Sequence, residues 1–307
     1  VQYIEKHVTF DRGAKGVDYY SSYEPKELEE FIEDVRLAEK SIGKNPLSFA
    51  ESEKIYRNAV KKSWTTTKKL SSGDTITPDD IIMKRTPYFF APPIYEEIIN
   101  SKLSNNIENE GSISRALLDN KVLAIIVARS DSSRLPGKAT KEINGIPSIA
   151  HLFERVKIAK EKGYIDTLAF CTTTLDSDNQ LVDIAKDYPM NIYRGEVEDV
   201  LSRMMLAVDD NQNHNIVLRI TGDDILIDSE YLKKTVDYHL EKNAHYTDAK
   251  RLPSGTEVEV FDSYILKLIY ELSKDSSGSE YLTNYITNNE DQFEMASLEV
   301  EKKHDEK

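Results

Sequence analysis

The feature that most constrains the fold of this chain is a regular alternation of strand and helix patterns that begins after Lys121. The first pattern, residues 122–128, is an uninterrupted apolar run with the length of a buried strand. Because such patterns alternate, we predict an α/β domain over residues 121–307, with a mostly parallel, Rossmann-like sheet and helices on both faces. The further predicted elements are strands at 165–172, 215–220 and 256–261, and helices at 148–162, 179–186, 197–208 and 230–241.

The chain before this domain has a different character. Pro25 suits the first turn of a helix and Gly43 suits its end. We divide the chain into residues 1–60, a small β-rich module at 61–118, and the α/β domain at 121–307. The predicted elements of the first two segments are a strand at 1–10, helices at 25–42 and 49–60, and short strands at 63–67 and 81–85.

Composition excludes several classes of protein. The chain has 54 acidic and 40 basic residues and a net charge of -14, which disfavours binding to nucleic acid. No apolar run approaches the roughly 20 residues that span a membrane, so no membrane span is expected. The single cysteine, Cys171, excludes an internal disulfide and favours the cytoplasm. We expect no signal peptide, because residues 1–7 mix charges into the apolar positions, and we expect an incomplete chain, because the first residue is not Met. We interpret residues 299–307 as a solvated tail or a truncated end.

The first candidate site is the loop of residues 128–138, which follows the opening strand of the α/β domain. It carries Arg129, Arg134 and Lys138, together with Ser133 and Gly137. Guanidinium forks, an ammonium group and loop N–H groups suit a triphosphate, and ligands of such sheets bind beyond the carboxyl ends of the strands. The loop lacks the pattern of a Walker motif. The alternative interpretation is a solvated basic loop.

The second candidate site is the loop that follows the strand at 215–220. Asp223 comes directly after Gly222 at the end of that strand, and Arg219 lies just before it. A carboxylate in this position suits Mg²⁺, which binds few carboxylates together with phosphate oxygens and water. The alternative interpretation is that Asp223 caps the next helix, although Asp228 or Ser229 is better placed for that role.

Several separate blocks of residues 121–300 resemble one enzyme family. The blocks are 129–138, with Arg-Leu-Pro-Gly-Lys intact, then 194–196 with 199–203, 219–223, 255–261 and 280–283. In this order they resemble the cytidylyltransferase family that includes the spore-coat polysaccharide biosynthesis protein F and the acylneuraminate cytidylyltransferases. The resemblance implies a nucleotidyltransferase fold, CTP as substrate, Mg²⁺ as cofactor and a homodimer.

The resemblance also implies roles for individual residues. Arg129, Lys138 and Asp223 would be catalytic, with the triphosphate of CTP on Arg129, Arg134 and Lys138 and Mg²⁺ on Asp223. Glu257 or Glu259 would complete the metal site, and their alternative interpretation is one exposed face of a strand. The remaining residues expected to bind the nucleotide are Ser133, Arg134, Gly137 and Arg219.

Residues 4–42 and 61–118 resemble a second family, the sialic acid synthases and the antifreeze-like (SAF) domain that follows their TIM barrel. The resemblance implies that residues 1–60 are the last strand and helix of such a barrel. It makes His7 a ligand of Mn²⁺ or another divalent ion, and Glu5, Asp18 and Arg85 substrate-binding residues. We expect neither metal binding nor condensing activity from this segment, since one histidine cannot hold a catalytic metal.

Three hypotheses for function follow. The first is CTP-dependent transfer of CMP to a sugar acid, such as sialic, legionaminic or pseudaminic acid, in surface-polysaccharide biosynthesis. The second is a non-catalytic carbohydrate-binding or assembly protein. It is favoured by Asp131, which stands where the cytidylyltransferases usually have glycine and would repel a triphosphate. The third is a synthase fragment that works only with a missing barrel.

Overall fold

The computed structural model describes residues 3–42, 50–86, 95–131, 135, 137–272 and 281–300. The chain forms two compact units, residues 1–52 and 53–307, which are described separately. Among the described residues, no helix is both long enough and apolar enough to cross a membrane.

The first unit contains the helix α1 (Pro25–Ile42), which begins at the expected proline. The expected end at Gly43 lies outside the described residues. The strand expected at 1–10 is reduced to one parallel bridge between Val8 and Tyr23. Around this bridge Thr9 N donates to Tyr23 O and Tyr23 N donates to His7 O, both at 2.9 Å. A longer strand needs a partner along its whole length, and the described residues of this unit supply one only here.

The helix α2 (Glu51–Val60) leads into a small module at the start of the second unit. The strands β1 (Lys62–Thr66) and β2 (Ile81–Arg85) pair antiparallel, and a short helix, α3 (Tyr95–Ile98), follows. Isolated bridges join the remaining loops. Because regular pairing is so limited, the module depends on a cluster of buried aliphatic side chains, namely Leu70, Ile76, Ile81, Ile98, Leu103, Ile107, Ile113 and Leu118.

A seven-stranded sheet organises the rest of the second unit. Its strands are β3 (Val122–Val127), β6 (Thr167–Thr173), β7 (Asn191–Gly195), β8 (Ile216–Thr221), β9 (Tyr246–Asp248), β10 (Glu259–Asp262) and β11 (Met295–Ser297). The spatial order is β11-β9-β10-β8-β3-β6-β7. The four strands β8, β3, β6 and β7 are parallel, whereas β10 runs antiparallel to both of its neighbours. A two-stranded hairpin, β4 (Glu142–Ile143) with β5 (Ile146–Pro147), lies outside this sheet.

Helices cover both faces of the sheet, as the sequence predicts. They are α4 (Ser148–Glu161), α5 (Asn179–Ala185), α6 (Val200–Asp210), α7 (Ser229–Lys242), α8 (Ser263–Leu272) and α9 (Tyr281–Asn288). Alternate residues of β3 enter two apolar clusters: Ala124 packs with residues of α4, α5 and α7, and Ile125 packs with residues of α6, α8 and α9. The central strand is therefore buried on both sides, which explains its continuous apolar sequence.

Two elements, a helix and a strand, begin about three residues later than expected. Helix α6 begins at Val200 instead of residue 197, because the Asp199 carboxylate accepts a hydrogen bond from Ser202 N at 2.8 Å and caps the helix. Strand β10 begins at Glu259, so Glu257 precedes the strand. The interpretation of these two glutamates as one face of a strand is therefore wrong.

A buried arginine joins the small module to the sheet. Arg115 is 2% exposed, and its guanidinium forms ion pairs with Asp262 and, at 3.3 Å, with Glu97. Its backbone N–H donates to Asn243 Oδ1 at 3.0 Å. Asn243 ends α7 and Asp262 ends β10, so two elements of the α/β part meet Arg115 of the module.

Candidate active site

The site is built where the adjacent parallel strands β3 and β8 end. Gly222 N donates to Val127 O at 2.9 Å. A Cβ on Gly222 would lie 2.5 Å from the Cβ of Ala128, a distance that no packed side chain tolerates. Glycine at this position therefore lets the two loops singled out in the sequence pack directly against each other.

Lys138 and Asp223 meet at this edge of the sheet. Lys138 Nζ lies 2.6 Å from Asp223 Oδ2, and the two side chains are 35% and 56% exposed. Burial alone would raise the pKa of Asp223, but the hydrogen bond and charge of Lys138 outweigh burial and hold that pKa below its ordinary value. Asp223 is thus ionised at neutral pH, and both side chains are open to solvent, so a ligand can reach them.

Asp224 is the more buried neighbour in the same loop. Its carboxylate accepts hydrogen bonds from the hydroxyl and the N–H of Thr221. Burial, together with the negative charges of Asp223 and Glu257, raises the pKa of Asp224 to about 6. Glu257 thus lies close enough to add negative charge to this loop. The loop consequently places the carboxylates of Asp223 and Asp224 next to the cation of Lys138.

The first loop supplies the remaining groups. Arg129 is 43% exposed, and its Nη1 lies 3.4 Å from both Val197 O and Glu198 Oε1. Gly137 has a φ of +66°, a conformation that favours glycine, and it precedes Lys138 directly. Ser133 and Arg134 lie outside the described residues.

Arg219 and Glu259, predicted for the nucleotide and the metal respectively, bind each other. They are direct partners across β8 and β10 and form an ion pair whose side chains are 18% and 15% exposed. Tyr246 donates a hydrogen bond to Glu259 Oε1 at 2.8 Å. Glu259 would have to leave two partly buried partners to bind a metal, whereas the ion pair that Asp223 forms with Lys138 is open to solvent.

Asp131 is exposed and lines an open cavity of about 450 Å³ with Ser130, Gly137 and Thr140. Its carboxylate is therefore hydrated, which weakens its repulsion of a bound anion.

Asp178 is a further residue of this region that was not singled out from the sequence. It lies beneath this loop and accepts a hydrogen bond from Ser130 N at 2.7 Å. Its place just beyond the carboxyl end of β6 is the signal that would have found it.

The donor set fits magnesium bound together with a nucleotide. Among the described residues, no three His, Cys, Asp or Glu side chains are placed to hold a metal by themselves. Mg²⁺ needs only one or two carboxylates when phosphate oxygens supply other ligands. The half-exposed Asp223 meets this requirement, with the charge of Glu257 nearby.

The residues expected from the synthase resemblance are spread over both units. In the first unit Glu5 and His7 are exposed, and Asp18 has a φ of 56°. In the second unit Arg85 is exposed at the end of β2, opposite Lys62. None of these four belongs to a metal-ligating group among the described residues.

Comparison with known proteins identifies the family. The cytidylyltransferase family profile matches residues 123–307, which is more than half of the chain. The chain belongs to the cytidylyltransferase family. The enzyme class that the sequence predicts, a nucleotidyltransferase, is thereby confirmed, and the site lies within the matched region.

Relatives of this cytidylyltransferase include proteins of known name. The spore coat polysaccharide biosynthesis protein SpsF of Bacillus subtilis is 27% identical over 186 residues, which cover 59% of this chain and 76% of SpsF. A solved cytidylyltransferase from Leptospira borgpetersenii is 25% identical with a TM-score of 0.53, and the alignment covers 61% of this chain and 78% of that one. The mostly parallel α/β fold agrees with that structure.

The N-terminal part of the cytidylyltransferase chain has separate relatives. The NeuB family profile matches residues 1–46. The N,N'-diacetyllegionaminic acid synthase of Legionella pneumophila is 32% identical over 104 residues, which cover 34% of this chain but only 29% of that synthase. The resemblance to sialic acid synthases is thus confirmed for a limited part of their length.

Proposed function

We propose that this cytidylyltransferase transfers CMP from CTP to a nonulosonic acid, a sugar acid of the sialic, legionaminic or pseudaminic type, and releases pyrophosphate. The observation that carries the proposal is the exposed Lys138–Asp223 pair, 2.6 Å apart, where β3 and β8 end. It offers a cation for phosphate oxygens and a carboxylate for a metal at one point.

The nucleotide would bind by exchanging partners with this pair. The triphosphate would take Lys138 from Asp223 and would also reach Arg129, which is partly exposed on the same loop. Loop N–H groups near Gly137 add weaker donors. Because the described ion pairs of both cations are open to solvent, exchanging them for phosphate costs little.

Asp223 freed by this exchange would hold Mg²⁺, and Glu257 would add negative charge from nearby. When bound, the ion neutralises charge that develops on the phosphate oxygens. We assign no direct metal contact to Glu259 while it is paired with Arg219.

The transfer itself needs one bond to form and one to break. A hydroxyl oxygen of the sugar acid attacks the α-phosphorus, the bond between that phosphorus and the bridging oxygen to the β-phosphorus breaks, and the hydroxyl proton leaves to solvent or base. Lys138 and Arg129 stabilise the negative charge that collects on the pyrophosphate. Catalysis would therefore come from orientation and from charge neutralisation.

The sugar-acid class is supported by the other end of the chain. The synthase that matches there is named for a legionaminic acid, and SpsF is named for polysaccharide biosynthesis. A chain that joins segments of both kinds suits consecutive steps, in which one enzyme makes the acid and the next activates it. We propose no condensing activity for residues 1–118, and we keep Glu5, His7, Asp18 and Arg85 as candidate synthase residues only.

The direct test is pyrophosphate release from Mg-CTP with a panel of sialic, legionaminic and pseudaminic acids and with UTP as the competing nucleotide. We expect turnover with CTP and at least one of these acids. No release with any acid, combined with no heat on titration of Mg-CTP, would favour the non-catalytic carbohydrate-binding alternative. Asp131, in the triphosphate loop, is the observation that supports this alternative.

A further inference from the structure

A buried carboxylate lies directly behind the loop that carries Lys138. Asp178 is fully buried in the short turn before α5. One of its oxygens accepts hydrogen bonds from Thr172 Oγ1 at 2.9 Å, Thr173 N at 3.1 Å and Thr173 Oγ1 at 2.5 Å. Its other oxygen accepts from Ser130 N at 2.7 Å. The carboxylate thus ties the end of β6 to the loop that follows β3.

Ser130 connects Asp178 to Gly137 at the far end of the loop. Its carbonyl accepts a hydrogen bond from Gly137 N at 3.1 Å, and its hydroxyl donates to Ser177 O at 2.9 Å. Gly137 is followed immediately by Lys138, whose ammonium meets Asp223. A continuous chain of contacts therefore runs from Asp178 through Ser130 and Gly137 to the cation of the site.

The charge of Asp178 is unfavourable for the proposed ligand. Burial opposes its ionisation, but the hydrogen bonds from Thr173, Ser130 and Thr172 outweigh burial and hold its pKa below the ordinary value. The carboxylate is therefore negative at neutral pH, close to a loop that would bind a polyanion. A charged acceptor forms stronger hydrogen bonds than a neutral one, which gives this loop a firm anchor despite the repulsion.

We propose that Asp178 is a positioning residue that fixes the triphosphate loop, through Ser130 and Gly137, in the conformation that presents Lys138 to CTP. This inference rests on the proposed function, and nothing in the family assignment names the residue. If Asp178 acts by positioning the loop, neutralising it should raise the KM for Mg-CTP. If it acts only through its negative charge, neutralising it should lower that KM.

The test is Asp178→Asn. An asparagine amide has one oxygen, so either Ser130 N–H or Thr173 N–H must face the NH₂ group and loses its acceptor. We expect the KM for Mg-CTP to rise at least about tenfold while kcat changes less than about threefold. If the charge alone mattered, removing it would lower KM. An unchanged or lowered KM would overturn the proposal.

A matched control is Asp166, which directly precedes the amino end of β6. Asp166 Oδ2 accepts a hydrogen bond from Val122 N at 2.8 Å, just as Asp178 accepts from Ser130 N beyond the end of β3. Asp166→Asn should leave the KM for CTP unchanged. An equal rise in both variants would mean that general destabilisation, not positioning, is measured, and would contradict the proposal.

Hydrogen exchange of the full-length protein separates this inference from the proposed function. In Asp178→Asn the amides of Ser130 and Gly137 should exchange at least about tenfold faster, while those of β3 stay protected. This readout needs no turnover, so a wild-type protein inactive on every sugar acid would still show whether the anchor exists. If Asp178→Asn does not fold, Thr172→Val removes one of the four hydrogen bonds and should raise KM about two- to fivefold. Unchanged exchange, or an unchanged KM in Thr172→Val, would refute the anchor.

Discussion

Two ion pairs lie at opposite ends of β8, and they differ in how deeply their side chains are buried. At the carboxyl end Lys138 and Asp223 are 35% and 56% exposed. At the amino end Asp262, which pairs with Ile216 of β8, forms an ion pair with Arg115, and these two side chains are 0% and 3% exposed. One pair can exchange its partners for a ligand. The other has no solvent to replace a lost partner.

The surroundings of the buried pair support this contrast. Asp262 and Glu97 share the single guanidinium of Arg115; burial raises the pKa of Asp262, and the positive charge of Arg115 opposes that rise. Removing one member of a buried pair leaves the other charge buried without a partner, whereas exposed pairs contribute little to stability. Changes at the amino end should therefore act on stability, and changes at the carboxyl end should act on turnover.

The largest expected effect is on stability. Arg115→Ala should lower the free energy of unfolding by about 3–5 kcal/mol, because it leaves Asp262 buried without its cation. Denaturant unfolding measures the loss. The double variant Arg115→Met with Asp262→Leu should recover part of it. Equal losses in the single and double variants would show that packing, not charge, dominates this junction.

The next effect is on turnover. Asp223→Ala and Lys138→Ala should each reduce kcat/KM for CTP about 10²–10³-fold, the range seen when one group that stabilises transition-state charge is removed. The melting temperature should hardly change. Asp237→Ala is the matched control, since Asp237 forms an equally exposed pair with Lys233 on α7. If either site variant kept wild-type turnover, the site assignment would be wrong.

A third effect is the pH dependence of stability. Burial lowers the pKa of His239, which lies beside the buried pair, to about 3. Because the unfolded chain binds the proton with a pKa near 6.5, stability is complete above that pH and falls as the pH drops toward 3. His239 should lower the free energy of unfolding by about 1–2 kcal/mol as the pH falls from 7 to 5. His239→Asn should make this limb shallower but not flat, because burial also lowers the pKa of His245 to about 3. His151→Asn, whose ring is partly exposed, should leave the limb unchanged.

The smallest effect concerns Asp131. Asp131→Asn should lower the KM for CTP about two- to fivefold, because it removes a hydrated charge from the triphosphate loop. The gain should shrink as salt is added, since screening weakens exposed charges. A gain of a hundredfold or more would instead indicate that Asp131 blocks the natural site.

The sequence was informative where one local pattern decides the structure. The apolar run of β3 and the capping of α7 by Asp228 could be predicted, because each depends on neighbouring residues. The short strands β7, β9 and β11 were missed, because their pairing depends on partners far along the chain. The proximity of Lys138 and Asp223 could be predicted from the rule that ligands bind at the carboxyl ends of parallel strands.

The parts of the site that could not be predicted depend on cross-strand register. Arg219 and Glu259 are 40 residues apart, and only the antiparallel register of β8 and β10 makes them partners. Asp178 was overlooked because its hydrogen bonds reach 48 residues back to Ser130. Long-range contacts of this kind leave no local pattern to read.

The most direct test of the account is a crystal structure of the full-length protein with Mg²⁺ and CTP. We predict that Lys138 Nζ leaves Asp223 Oδ2, from which it now lies 2.6 Å, and contacts a phosphate oxygen, while Asp223 binds the metal. A nucleotide bound elsewhere, with the Lys138–Asp223 pair still intact, would contradict the account.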